Sequence, residues 1–287
     1  MKLAVYSLVT PELNPEQFAA AVRQAGIGAV EWLYGEMPES LRKQKPSFLG
    51  NNATAISPSW NEPDLKRFEE AAKAHTLDVA GINPDKYLRK NSLEITERAL
   101  LAAKKLKAGF VRLAVPEYDR TENYHVLFDR AMEYLKEAVD LCKYYDVRGV
   151  LEIHHKTIIP SASAAYRLCE HFDPQWLGVT HDAGNMVMEG FENYRMGMEL
   201  LGPYLAHVHV KNAIWKSVGT RDDGSTIWEG EWTAIRHGIV PWKQVIADLK
   251  AVGYGGYLSL EDFSGTYRTP ELLSDFVSYM NDLLASS

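Results

Sequence analysis

Four short stretches in the second half of the chain each place ionisable side chains at the end of an apolar run. "GVLEIHH" carries Glu152 and His154, and "GVTHDAGN" carries Asp182 and Asn185. "LAHVHVKN" carries His207, His209 and Lys211, and "GYLSLEDF" carries Glu261. Taken singly, each has an ordinary explanation. A glutamate at a strand end is commonly solvated or paired with arginine, and a lone strand histidine is commonly a hydrogen-bonded core residue. Glu152 and Glu261 nevertheless lie deep in apolar sequence, where an unpaired carboxylate is costly to bury. A divalent cation bound by a Glu, an Asp, a His and a second Glu would satisfy four such groups at once. Three carboxylates and one imidazole suit Mn²⁺, Mg²⁺, Co²⁺ or Fe²⁺ with open positions for substrate oxygens, and suit a closed structural zinc site less well. The chemistry on offer is metal-assisted proton transfer.

Whether these groups can meet depends on the elements that carry them. His207, His209 and Lys211 recur at every second position, so on a strand they share one face. Apolar runs at 2–8, 29–34, 77–82, 110–115, 148–154, 176–182, 205–211 and 256–262 read as strands. Amphipathic stretches separate them, such as Phe18/Ala21/Val22/Ala25, Met132/Leu135/Val139/Cys142 and Val245/Ile246/Leu249/Val252. Helix starts are marked by "NPEQF" from Asn14 and "TPELL" at 269–273, and stops by "QAG" at 24–26 and "AVGYGG" at 251–256.

Eight strand–helix repeats predict one (β/α)8 TIM barrel over residues 1–287, an α/β fold with no second domain. The length exceeds the ~250 residues typical of such barrels. Insertions at 35–61, after the second strand, and at 212–240, after the seventh, absorb the excess. An open doubly wound sheet would place a glycine-rich turn after the first strand, where this chain reads "VTPELNP". Barrel active sites lie at the C-terminal ends of the strands, and four consecutive strand ends carry the groups named above.

Composition narrows the partners. With 46% hydrophobic and 24% charged residues, the chain has an ordinary globular profile. A formal charge of −7 argues against a broad nucleic-acid-binding face. No stretch reaches the ~18 apolar residues of a membrane span, and the N-terminus is too short in apolar sequence for a signal peptide core. Cys142 and Cys169 form no CxxC pair, which fits a reducing, cytoplasmic setting.

The blocks "LEIHH", "HDAGNMVMEGFENY", "LGPYLAHVHVKN" and "VPWKQVIADLKAVGYGGYLSLED" resemble the xylose isomerase-like TIM barrels, which include sugar and sugar-phosphate isomerases and epimerases. The resemblance runs over essentially the whole chain. It implies one divalent ion, Mn²⁺ first among Mg²⁺, Co²⁺, Fe²⁺ and Zn²⁺, held by Glu152, Asp182, His209 and Glu261. It also implies proton abstraction beside a keto-sugar carbonyl, giving an enediolate that the metal stabilises. Glu152 and Glu261 would act as acid and base on opposite sides of the sugar. Epimerisation and isomerisation use the same groups, and the sequence does not separate them.

Other residues have two readings each. His154 and Lys211 are expected either to bind substrate oxygens or to support the site. Arg112 would reach a sugar oxygen, or pair with Glu31 or Glu152 inside the barrel. Trp32 would wall the pocket, and His207 is expected in a hydrogen-bonded core role. Where many relatives have a histidine three residues after the metal-binding Asp, this chain has Asn185. Where many read "HVKD" it reads "HVKN" with Asn212, and asparagine can bind a hydroxyl but cannot shuttle a proton.

The 212–240 insertion holds Trp215, Trp228 and Trp232 around an Asp-Gly hairpin signal. It reads as a lid over a sugar or aglycone, with Trp215 among its indoles, or as a homo-oligomer contact. "FSGTYR" after the last strand lacks a basic cluster, favouring an unphosphorylated substrate. A lyase on 3-keto-glycosides would use the same proton abstraction. An abasic-site endonuclease would need further metal ligands, one of them at Asn185, and a non-catalytic sugar-binding barrel would leave the four-residue set incidental.

Overall fold

The computed structural model describes residues 1–36, 39–41, 43–48, 50–84 and 92–286. Its strands are β1 (Lys2–Tyr6), β2 (Ala29–Tyr34), β3 (Ala55–Ile56), β4 (Asp78–Pro84), β5 (Phe110–Arg112) and β6 (Arg148–Glu152). They continue with β7 (Leu177–Asp182), β8 (Leu205–Val210), β9 (Asn212–Thr220), β10 (Thr226–Thr233) and β11 (Tyr257–Leu260). Eight of them pair in parallel in the order β1-β2-β4-β5-β6-β7-β8-β11, and β11 pairs back onto β1. The sheet is therefore a closed barrel.

The helices are α1 (Pro15–Gln24), α2 (Glu62–Ala74), α3 (Leu93–Leu106), α4 (Tyr124–Tyr145), α5 (Ala162–Cys169), α6 (Ala183–Met188), α7 (Tyr194–Leu201), α8 (Trp242–Ala251) and α9 (Thr269–Ser286). A helix of eight or more residues follows each barrel strand, with the shorter α6 intervening between β7 and α7. The strands thus have both faces covered, which is why they read as near-continuous apolar runs. β2 and β7 are buried at every residue. Any charged residue inside them stands out against that background.

Local signals act as expected. The Asn14 side chain accepts from the Gln17 amide at 2.9 Å and Gln17 returns the bond at 3.1 Å, a capping box that starts α1 beside Pro15. Gly26 and Gly253, at φ +85° and +75°, turn the chain after α1 and α8. β1 stops at Tyr6, earlier than its apolar run, because Ser7–Val9 winds into a 3₁₀ turn. There the Ser7 hydroxyl accepts the Leu33 amide at 3.0 Å in place of a ladder partner.

The barrel carries extra structure between β2 and α2 and between β8 and α8. Of residues 35–61, positions 37, 38, 42 and 49 lie outside the described residues. Within that insertion β3 adds two residues to the edge of β2. In the other, β9 and β10 form an antiparallel hairpin outside the barrel. Its turn closes through the Arg221 amide on the Ser225 carbonyl at 2.8 Å, with Gly224 at φ +83°.

Candidate active site

Four strands deliver four ligand-type side chains to one point inside the C-terminal mouth. Glu152 ends β6, Asp182 ends β7, His209 lies on β8 and Glu261 follows β11. Strand register sets their neighbours. Asp182 pairs with His209, Glu152 with Thr180, and the Glu261 amide bonds Val210 O at 3.0 Å. One ligand atom from each of the four lies within 4.8 Å of all the others, and all four residues are buried.

The geometry converges on one imidazole nitrogen. His209 Nδ1 is 3.1 Å from Glu152 Oε1, 3.5 Å from Glu261 Oε2 and 3.6 Å from Asp182 Oδ2. Asp182 divides its oxygens: Oδ1 accepts the Asn185 amide at 2.8 Å and so caps α6, while Oδ2 turns inward. Asp182 Oδ2 and Glu261 Oε2 accept no directed hydrogen bond, although the Lys211 ammonium lies 3.0 Å from the first and in contact with the second. Two buried carboxylate oxygens beside a carboxylate and a histidine nitrogen suit an oxygen-seeking divalent ion, so the residues present fit a metal.

Charge balance points the same way. Four buried carboxylates, Glu31, Glu152, Asp182 and Glu261, face two fixed buried cations, Arg112 and Lys211. The remainder is carried either by protonated imidazoles or by a dication. Burial pushes the Glu152 carboxyl up, but the Arg112 guanidinium, then His209, outweigh this and hold it well below the usual carboxylate range. Burial also opposes ionisation of Asp182, which Lys211 and His209 nonetheless hold down to about 2. His209 shows the reverse: burial lowers it, yet Glu261 and Glu31 raise it well above the ordinary histidine value.

The residues expected around this core divide into those it gathers and those it leaves aside. Arg112 pairs with Glu152, and its second nitrogen donates to Pro84 O at 3.0 Å, so it braces the cluster from within. Asn185 donates to Ile153 O at 3.1 Å and Glu152 Oε1 at 3.4 Å, leaving its carbonyl oxygen for Lys211 and His155. His154 is half-buried, and its ring stacks on His155 at 4.4 Å. His207 is a buried core residue whose Nε2 contacts Glu31 Oε1.

Two expectations are corrected. Trp32 does not wall the pocket: on β2 it alternates with the inward Glu31, and its ring packs between Phe18 and Phe68 at 5.4 and 5.1 Å, on the helix side of the sheet. Trp215 does not roof the cluster either. It is 41% exposed, and its indole N–H donates to Val187 O at 2.8 Å. The indole that reaches the site is Trp232, which with Phe263 covers the Lys211 ammonium, each ring centre 4.9 Å away.

Sequence reasoning missed Glu31 as a site residue, and missed Asn83 and His155. Glu31 was legible as the one charged residue in "AVEWLY". His155 holds Asn185 Oδ1 at 3.0 Å through Nδ1 and packs edge-on to Trp232 at 5.5 Å. Burial, then the nearby Lys211 charge, lowers its basicity.

Gly184, just after Asp182, allows β8 to come close. A Cβ there would lie 2.7 and 2.8 Å from Lys211 Cγ and Cβ and 3.0 Å from its backbone carbon. Gly184→Ala is therefore expected to cost roughly 1–3 kcal/mol by overpacking. A urea melt would measure it, and an unchanged midpoint would mean the Lys211 segment shifts freely.

A closed parallel barrel with a buried carboxylate–histidine cluster at its C-terminal mouth defines a class, the (β/α)8 TIM barrels. Within it, the chain matches the xylose isomerase-like TIM barrel family over residues 19–282, and it belongs to that family. No curated protein matches it in sequence. Solved structures share its fold at low identity. A D-allulose 3-epimerase from Methylomonas sp. is 13% identical with a TM-score of 0.72, covering 99% of this chain and 98% of its own. A 3-keto-D-glucoside 4-epimerase from E. coli, in apo form, is 14% identical with a TM-score of 0.70, covering 98% and 99%. A xylose isomerase-like TIM barrel protein from Mycobacterium smegmatis, in complex with magnesium, is 15% identical with a TM-score of 0.69, covering 99% and 97%.

Proposed function

We propose that the protein is a divalent-metal-dependent isomerase or epimerase of a keto-sugar or sugar derivative, with Glu152, Asp182, His209 and Glu261 as the metal ligands and Mn²⁺ as the preferred ion. The observation that carries this reading is the convergence of Glu152, Asp182 and Glu261 on His209 Nδ1 in a buried, carboxylate-rich mouth. The likeness to sugar epimerases supports the substrate class. When bound, the ion supplies a Lewis acid that polarises a ketone and its neighbouring hydroxyl.

The protein's own groups do the rest. Glu152 and Glu261 stand on β6 and after β11, separated in the sheet by β7 and β8, so they flank whatever enters between them. Arg112 keeps Glu152 ionised and fixed as a proton acceptor. Lys211, which contacts Asp182 and Glu261 beneath Trp232 and Phe263, would be placed to bind a substrate oxygen once those two carboxylates served as metal ligands. Trp232 and Phe263 exclude water and pack on the C–H face of a sugar.

Incubating the protein in D₂O with Mn²⁺ and a panel of ketoses, keto-glycosides and their phosphates, read by NMR, tests the reading. Deuterium is expected at the carbon next to a ketone, with an epimer or isomer as product. Absence of exchange across the panel would overturn it.

One observation favours a lyase as the second reading. A cavity of about 560 Å³ beside the mouth is lined by Phe48, Tyr267, Leu272 and Asp262, and Phe48 packs on Phe263 at 5.5 Å. That space suits the aglycone of a 3-keto-glycoside, and release of a free aglycone in the same panel would select elimination.

Metal binding should also release close to one proton at pH 7. His209 is held protonated there by its carboxylate neighbours, and the ion needs the Nδ1 lone pair. Affinity should therefore rise with pH, by up to about tenfold per unit below the raised His209 value. Titration calorimetry in buffers of different ionisation enthalpy measures the count, and zero release would mean that His209 is already neutral in the metal-free protein.

A further inference from the structure

Glu31 lies at the centre of β2, wholly buried, and spends both its oxygens on fixed partners. Oε2 accepts the Asn83 amide hydrogen at 2.7 Å and lies 3.2 Å from His209 Nε2. Oε1 contacts His207 Nε2. The two imidazoles stand at alternate positions of β8, so one carboxylate spans both. Tyr6 stacks on His209 at 6.1 Å with the ring planes 13° apart, and Phe110 packs on His207 at 4.7 Å.

A carboxylate in this position accepts and does not donate, so each facing Nε2 must carry a hydrogen. For His209 that leaves only Nδ1 with a lone pair once the second proton departs, and Nδ1 is the atom facing Glu152, Asp182 and Glu261. We infer that Glu31, itself held by Asn83 and His207, is a positioning residue that fixes the His209 tautomer and presents Nδ1 as the metal donor. The inference rests on the metal site proposed above and adds what makes His209 a one-sided ligand. Buried partners of metal-bound imidazoles of this kind typically change affinity 10–100-fold when removed.

The trio Glu31, His207 and His209 also has the composition of a second cation site. The geometry assigns it the other role, because its carboxylate oxygens and ring N–H groups are already paired with one another and with Asn83.

The test uses the full chain with histidine labelled by ¹⁵N and loaded with Zn²⁺. Long-range ¹H–¹⁵N correlations should show His209 protonated at Nε2 and metal-shifted at Nδ1. In Glu31→Gln, Zn²⁺ affinity should fall roughly 10–100-fold and the His209 tautomer should become mixed. His207→Gln, which keeps a donor to Glu31, should lose less. Coordination through Nε2 in the wild type, an unchanged affinity in Glu31→Gln, or two Zn²⁺ per chain would each overturn the inference. If Glu31→Gln does not fold, the wild-type spectrum decides alone. A wild type that binds no Zn²⁺ at all would instead remove the metal-site reading beneath it.

Discussion

Glu152→Gln and Glu261→Gln are each expected to cut solvent-deuterium exchange from one of the two epimers by roughly 10²–10⁴-fold, the range for loss of a positioned acid or base. Glutamine keeps an oxygen for the ion but cannot take a proton, so the loss should persist at saturating metal. The two variants should also differ. If one glutamate serves each face of the sugar, each variant loses exchange with one epimer while the other epimer still takes up deuterium without inverting. Exchange must therefore be followed from both epimers. Wild-type exchange from both in either variant would exclude that glutamate as a base. Loss of metal without loss of exchange would exclude the ion.

The barrel was legible because closure by helices leaves its strands apolar on both faces. Against that background Glu152, Asp182, His209 and Glu261 were conspicuous, and the strand ends placed them on one rim. Glu31 carried the same signal within "AVEWLY", yet its partners His207 and His209 lie on β8, far away in sequence. Only closure of the barrel brings β2 to face β8. Trp32 was misplaced for a related reason: alternation lets Glu31 or Trp32 face inward but not both, and the charge of Glu31 decides it. Which tryptophan of the hairpin covers Lys211 depends on the β9–β10 register and its irregularity between Ile227 and Trp228. Periodicity does not encode that offset.

Arg112→Met is expected to lower stability by about 3–5 kcal/mol, because it strands Glu152 as a buried charge rather than deleting a surface ion pair. At this chain length that corresponds to a Tm drop of roughly 5–8 °C. The pH dependence separates this cause from lost packing. In the wild type Glu152 has a depressed pKa, so its contribution is present above the ordinary glutamate range and is lost as pH falls through the folded-state value. Without the guanidinium, burial raises Glu152 instead, and protonation at mildly acid pH relieves the strain. The gap between variant and wild type should then narrow as pH falls from 7 towards about 5. A divalent ion should narrow it as well at pH 7, since it offers Glu152 a second counter-charge and binds only the folded chain. Thermal melts at both pH values, with and without Mn²⁺, measure all three effects. A deficit that ignores both pH and metal would mean that Arg112 acts by filling space, and that the charge of Glu152 is balanced by His209 alone.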